Sequence, residues 1–544
     1  IMLLARRVVP AAATAVGLGL GTAYAVEPSA RDDELPRQWD RQAVAAYWRA
    51  RPLAAASRAI EVAATLAPVA ARIAADRAFV AADEPAVERA ARQRLRATQA
   101  RDALVELGPA FIKLGQQLSI RPDVVPPPAL EVLRGLCDAV PAVPTHVALE
   151  TVREDLGDVV IEGLDASAVP VAAASLGQVY RARYEGRDVA VKIQRPDMSC
   201  GVARDLYLLG NWARFVESVK KILIPAQRPY DIQLIDAFCK GAYGELDYEH
   251  EAANQRRFKD AIANGPASLR DVYVPEVRLA TRRVLVSDWV EGERLSQASQ
   301  PTIKRLVPLG VELFCWQLLD LGFYHCDPHP GNLLVDERGR LCVIDFGLCA
   351  EISAPAREHM TMAMVHLIEG KVAALVDDAV DLDFLPSDVD RAALVPILGR
   401  VFDGARLAAK SMDGVPVQKR RKEFAAVSAD LNNIFFEQPF RVPDYFALVT
   451  RALIVLEGIA LSGDKDFDLF NAAYPYAQAH AARLFGAKQL AELRPLWADG
   501  RCPEDWMEDV SATAVGEAEC RDVRPNCEVL SKVMSCETDM CPGT

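Results

Sequence analysis

The sequence predicts an α+β fold of two lobes, one built around β-strands and one largely helical, with a helical extension in front of them. Three observations carry this expectation. Residues 170–194, PVAAASLGQVYRARYEGRDVAVKIQ, hold two apolar-rich runs on either side of Glu185-Gly186, which is a hairpin signal. Residues 325–347, HCDPHPGNLLVDERGRLCVIDFG, run from a polar loop into the short apolar stretch 341–344, read as a buried strand that ends at Asp345. Residues 40–107, and the chain from Gly347 to about residue 485, instead space their apolar residues at helical intervals.

The second of these stretches carries the chemistry. Asp327 is followed five residues later by Asn332, and Asp345 heads a DFG triplet thirteen residues beyond that. Phosphoryl transfer from ATP needs one carboxylate to accept or orient the proton of the attacking hydroxyl, and an amide oxygen with a second carboxylate to hold Mg²⁺ against the phosphates. Asp327 fits the first role; Asn332 and Asp345 fit the metal-holding roles. Either motif alone is weak, but the two in this order, with an apolar strand between them, follow the protein-kinase pattern. HCD stands where HRD is usual, and HPG precedes Asn332.

Composition bounds the alternatives. A chain of 544 residues is long for one core and implies two or three packed units. At 51% hydrophobic and 25% charged residues it is globular. A net charge of -13 argues against a nucleic-acid partner, which would require a clustered basic surface. Of twelve cysteines, seven lie in apolar or motif segments and read as reduced core thiols. The other five crowd the last 43 residues without CxxC spacing, so both disulfides and free thiols stay open there.

In chain order, residues 1–40 read as a targeting or membrane-anchoring segment: Arg6 and Arg7 precede an uncharged run over 8–26 that contains Ala23-Tyr24-Ala25. Residues 41–127 form the helical extension, ending in a stretch that carries Lys113 and Gln116 as KxGQ. Residues 128–290 make the strand-bearing lobe. Against the kinase phosphate loop GxGxxGxV, Ala172, Ala174, Gly177 and Val179 stand in the corresponding places, with Ala173 and Ser175 between them. Alanine at the first two glycine positions adds Cβ atoms and restricts positive φ, so this loop approaches phosphates less closely or with another shape.

Val189-Ala190-Val191-Lys192 matches the strand that offers a lysine to the α and β phosphates. That lysine requires a carboxylate partner. Glu251 is the choice among the acids of GELDYEHEAANQRRF, with Glu245 and Asp247 set apart as an ExD pair; an inserted helical segment fills the long gap from Lys192. Asp288-Trp289-Val290, followed by Glu291-Gly292, reads as a hinge between lobes. Residues 291–486 form the helical lobe, in which 306–321 lead into the catalytic loop and 362–380 and 445–461 have helical spacing. Residues 487–544 are an acidic, cysteine-bearing tail.

Taken together, KxGQ at 113–116, AAAS at 172–175, VAVK ending at Lys192, ExD at Glu245 and Asp247, DPHPGN at 327–332 and DFG at 345–347 resemble the UbiB or aarF-domain-containing atypical kinases, over roughly residues 101–485. The resemblance implies a protein-kinase-like fold whose KxGQ helix lies over the active site, with Lys113 and Gln116 guarding the pocket and Glu245 and Asp247 meeting them or the metal. It also implies ATP or ADP with Mg²⁺, and a place in quinone or prenyl-lipid metabolism at a mitochondrial or plastid membrane, beside lipid- or quinone-pathway enzymes. Cys326, next to Asp327, is a candidate for tuning access or redox sensitivity. Two other classes stand beside this expectation: a nucleotide-gated scaffold without useful transfer, and a conventional protein kinase, which Ala172, Ala174 and the KxGQ extension disfavour.

Overall fold

The computed structural model describes residues 34–79, 84–119, 125–137, 142–173, 176–223, 230–369, 371–396, 399, 443–463 and single positions between 467 and 483. The expected targeting run over 8–26, the tail over 487–544, and Ala174 and Ser175 of the phosphate-loop expectation lie outside the described residues.

The chain divides into two compact units, one of residues 1–252 with 277–289 and one of residues 253–276 with 290–544. The chain passes between them three times, after Ala252, Glu276 and Trp289, the last within the stretch read as a hinge. Residues 253–276, expected with the strand-bearing lobe, belong to the second unit. Their packing explains why: Phe258 and Leu269 enter that unit's core, and Tyr273 exchanges backbone hydrogen bonds with Leu341 and Val343.

The first unit holds a five-stranded antiparallel sheet: β1 (Ala172–Ala173), β2 (Gly177–Tyr184), β3 (Arg187–Gln194), β4 (Val277–Ala280) and β5 (Val284–Asp288), in the order β1-β2-β3-β5-β4. The β2–β3 turn has Glu185 at φ 49 and Gly186 at φ 74, the two left-handed residues that let a two-residue hairpin match strand twist. Strand periodicity then sorts side chains to two faces. Tyr180, Val189, Val191 and Ile193 pack with Ala148 and Val152 of the helix Thr145–Leu156. Leu285, the cross-strand partner of Lys192, lies in the opposite cluster with Tyr248 and Ala252 of the helix Tyr248–Ala263.

The extension supplies helices Arg41–Arg49, Pro52–Phe79, Ala86–Leu107 and Pro109–Leu118. The first starts at an N-cap: Asp40 accepts from the Gln42 and Ala43 amides at 2.8 and 3.0 Å. Val44 and Trp48 of that helix enter a core with Leu206 and Tyr243, while Leu104, Leu107 and Phe111 join Leu133 and Leu136 in another. Helices Met198–Leu223 and Tyr230–Gly244 occupy the gap between Lys192 and Glu251.

The second unit is built on the buried helix Gln300–Trp316, which continues through a π-turn over Gln317–Leu321 to Gly322 at φ 68. Behind it come β7 (Phe323–His325), β8 (Leu333–Asp336), β9 (Leu341–Val343) and β10 (Cys349–Glu351); β6 (Gly292–Arg294) pairs β8, β8 pairs β9, and β7 pairs β10. The helix expected over 362–380 is two helices, Ala354–Glu369 and Val372–Asp381, and the one expected over 445–461 runs Asp444–Gly463.

Candidate active site

In the first unit, β3 presents Lys192 on the sheet face that meets the helix Tyr248–Ala263. Its Nζ lies 2.8 Å from each oxygen of Glu251. The Glu251 side chain is 5% exposed, so this is a desolvated pair of defined geometry rather than a surface contact. Glu251 stands in the first turn of its helix, where the helix dipole favours a carboxylate. Lys192 Nζ also sits 5.1 Å from the centroid of the Tyr248 ring.

Gly177 of the expected phosphate loop has a packing reason to lack a side chain. A Cβ there would collide with the Tyr248 hydroxyl and the Ile193 carbonyl. Ala172 and Ala173 form an exposed edge strand paired with Val179 and Gln178.

The KxGQ helix Pro109–Leu118 pairs Lys113 with Glu245 through Nζ and Oε2. Gln116 donates instead to the Leu136 carbonyl at 3.3 Å, and Asp247 accepts from the Glu249 amide at 3.0 Å. The structure thus brings Lys113 and Glu245 together and gives Gln116 and Asp247 backbone partners. Gly115 is required for close approach, since a Cβ would run into the side chains of Leu136 and Leu104.

In the second unit, His325 ties the two acidic motifs to each other. Its Nδ1 accepts the Asp327 amide at 3.2 Å, which leaves Nε2 to carry the proton and donate to the Asp345 carbonyl at 2.6 Å. The imidazole is 3% exposed, and its own amide donates to Gln317 Oε1 in the π-turn at 2.7 Å. Asn332 Nδ2 donates to the Asp327 carbonyl at 3.0 Å, so the amide oxygen remains the atom of Asn332 suited to a cation.

Asp345 is exposed and takes φ 63, a left-handed conformation uncommon outside glycine and found at functional sites. Phe346 beside it is fully buried. Among the described residues no three His, Cys, Asp or Glu side chains form a metal cage. The donor set of Asn332 and Asp345 suits Mg²⁺, which keeps waters and takes one or two protein oxygens plus phosphates.

Cys326 is the core thiol that its apolar setting predicts, and its burial argues against a role in tuning access or redox sensitivity. It is fully buried, with its Sγ 3.6 Å from the Tyr324 carbonyl, so its thiol faces the core and is closed to solvent oxidants. Cys342 is also buried, and burial pushes its thiol up to about 12.

Sequence reasoning assigned no role to His325, Gln317 or Asn254. His325 carried a signal, as the first residue of the altered HRD triplet. Gln317 and Asn254 act through backbone carbonyls and amides brought near by folding, and no motif marks such contacts.

A family model for the ABC1 atypical kinase-like domain matches residues 135–379. Protein ACTIVITY OF BC1 COMPLEX KINASE 3, chloroplastic, of Arabidopsis thaliana is 38% identical over 392 residues, 70% of this chain and 53% of its own length. An uncharacterised aarF domain-containing protein kinase of the same plant, also chloroplastic, is 35% identical over 397 residues, 72% of this chain and 54% of its own. An uncharacterised protein of Synechocystis is 36% identical over 454 residues, 81% of this chain and 75% of its own. The chain spans about half the length of the two plant relatives.

Proposed function

Because the chain belongs to the ABC1 atypical kinase-like family, we propose that it binds ATP or ADP with Mg²⁺ and transfers or hydrolyses the terminal phosphate in quinone or prenyl-lipid metabolism. The observation that carries the proposal is the His325 bridge between the Asp327 amide and the Asp345 carbonyl, which fixes two acids of distinct surroundings in one loop cluster. Asp327 orients the attacking hydroxyl or water. Asn332 and Asp345 would hold the metal, which supplies charge neutralisation at the phosphates. Lys192, held by Glu251, contacts the α and β phosphates, with Gly177, Val179 and the 172–175 run along them. Lys113 and Glu245, joined as an ion pair, restrict entry to the pocket together with Gln116 and Asp247.

The names of the plant relatives favour a plastid. A membrane surface is part of this reading; the helix segment Pro52–Asp76 is long and apolar enough to cross a bilayer by length and composition, while its Arg58 is paired with Asp205 of another helix. Enzymes of lipid or quinone pathways are the partners this reading calls for. The test is ATP turnover by the full chain with and without phosphatidylcholine vesicles. Mg²⁺-dependent phosphate release that rises with vesicles supports the proposal; no release in either condition overturns it.

The exposed Ala172–Ala173 edge, standing where kinases carry glycines, favours a second reading: a scaffold that uses nucleotide to gate partner binding. It predicts nucleotide-dependent vesicle or partner binding that persists in Asp327→Asn.

A further inference from the structure

We infer that Asn254 is a positioning residue for the DFG turn, holding the Phe346 carbonyl so that Asp345 presents its carboxylate in one fixed direction. The inference rests on the nucleotide reading above and adds a residue that reading does not use.

The starting point is the backbone of Asp345. At φ 63 it occupies a region that costs a non-glycine residue about 1–2 kcal/mol, so the surroundings have to impose it. Three contacts do so. His325 donates to the carbonyl of Asp345 itself at 2.6 Å. Asn254 Nδ2 donates to the next carbonyl, that of Phe346, at 3.1 Å. The Phe346 ring is locked between Phe258, at 5.1 Å between centroids, and the edge-on His325 ring at 5.4 Å.

Asn254 is 7% exposed, so its amide is committed to the protein, and a carbonyl partner fixes which end donates. Its place in the sequence gives the contact further meaning. Asn254 and Phe258 are four residues apart on the helix Tyr248–Ala263, so one helical face holds the turn by its backbone and by its ring. Glu251, three residues before Asn254 on the same helix, holds Lys192.

The test uses the full chain carrying Asn254→Ala or the isosteric Asn254→Asp, with Gln255→Ala as control. Gln255 is 4% exposed and donates to the Pro275 carbonyl at 2.8 Å, so its loss removes a buried amide bond from the same helix without touching the turn. Two readouts are taken: hydrogen exchange of the backbone over 345–347 in nucleotide-free protein, and the Mg²⁺ concentration giving half-maximal ATP binding. Losing one neutral hydrogen bond predicts about a tenfold rise in each for both Asn254 variants, and wild-type values for Gln255→Ala. Unchanged exchange in the Asn254 variants, or an equal change in Gln255→Ala, overturns the inference. Exchange that rises as predicted in the Asn254 variants, in a protein whose wild type binds no Mg-nucleotide, overturns the functional reading and not the hold on the turn.

Discussion

Asp327→Asn is expected to lower ATP turnover by about 10²–10⁴-fold, the range that a positioned general base contributes. Nucleotide affinity should stay near wild type. The reason lies in how the loop is held. The Asp327 amide donates to His325 and its carbonyl accepts from Asn332, so the backbone is fastened on both sides independently of the carboxylate. An isosteric amide leaves that frame in place and removes only the proton acceptor. Phosphate release and equilibrium ATP binding, measured on the same samples, separate the two effects. Loss of binding in parallel with turnover would mean that Asp327 holds the nucleotide rather than acting on it.

The largest expected stability effect lies far from this loop. Arg58 of the extension forms a two-pronged pair with Asp205, Nε to Oδ1 at 2.9 Å and a terminal nitrogen to Oδ2 at 3.0 Å. The side chains are 10% and 6% exposed, and Arg58 also donates to the Leu107 carbonyl. One guanidinium thus ties helices Pro52–Phe79, Ala86–Leu107 and Met198–Leu223. Arg58→Ala strands a buried carboxylate and should cost about 3–5 kcal/mol. For a unit of this size that is about 6–20 °C in melting temperature. Adding Asp205→Ala should restore part of the loss, because the stranded charge disappears with it. The exposed Arg94–Glu131 pair at 2.9 Å provides the contrast, with about 0–1 kcal/mol at stake. A melting temperature unchanged in Arg58→Ala would refute this account of how the extension is held.

Much of the architecture was legible because it rests on local rules. The hairpin followed from Glu185-Gly186 between apolar-rich strands, and the buried strand Leu341–Val343, two residues short of Asp345, from an apolar run leading into an acid. The Lys192–Glu251 contact spans 59 residues, yet it could be anticipated from chemistry, since a buried ammonium demands a carboxylate. What stayed hidden depends on folded proximity. Nothing near Arg58 in the chain announces Asp205, 147 residues away. Gln317 and Asn254 serve backbone groups, which have no residue signature. Cys326 was legible as a core thiol, and its full burial, just past the strand Phe323–His325, is what closes it to the redox role its place beside Asp327 suggested. The assignment of residues 253–276 to the second unit depends on Phe258 meeting Phe346, a tertiary contact that periodicity does not specify.

The most direct measurement is the Mg²⁺ dependence of ATP binding in the wild type and in Asp345→Asn. The account predicts that Mg²⁺ tightens binding in the wild type and does so no longer in the variant, while metal-free binding through Lys192 is the same in both. An identical response to Mg²⁺ in the two proteins would contradict it.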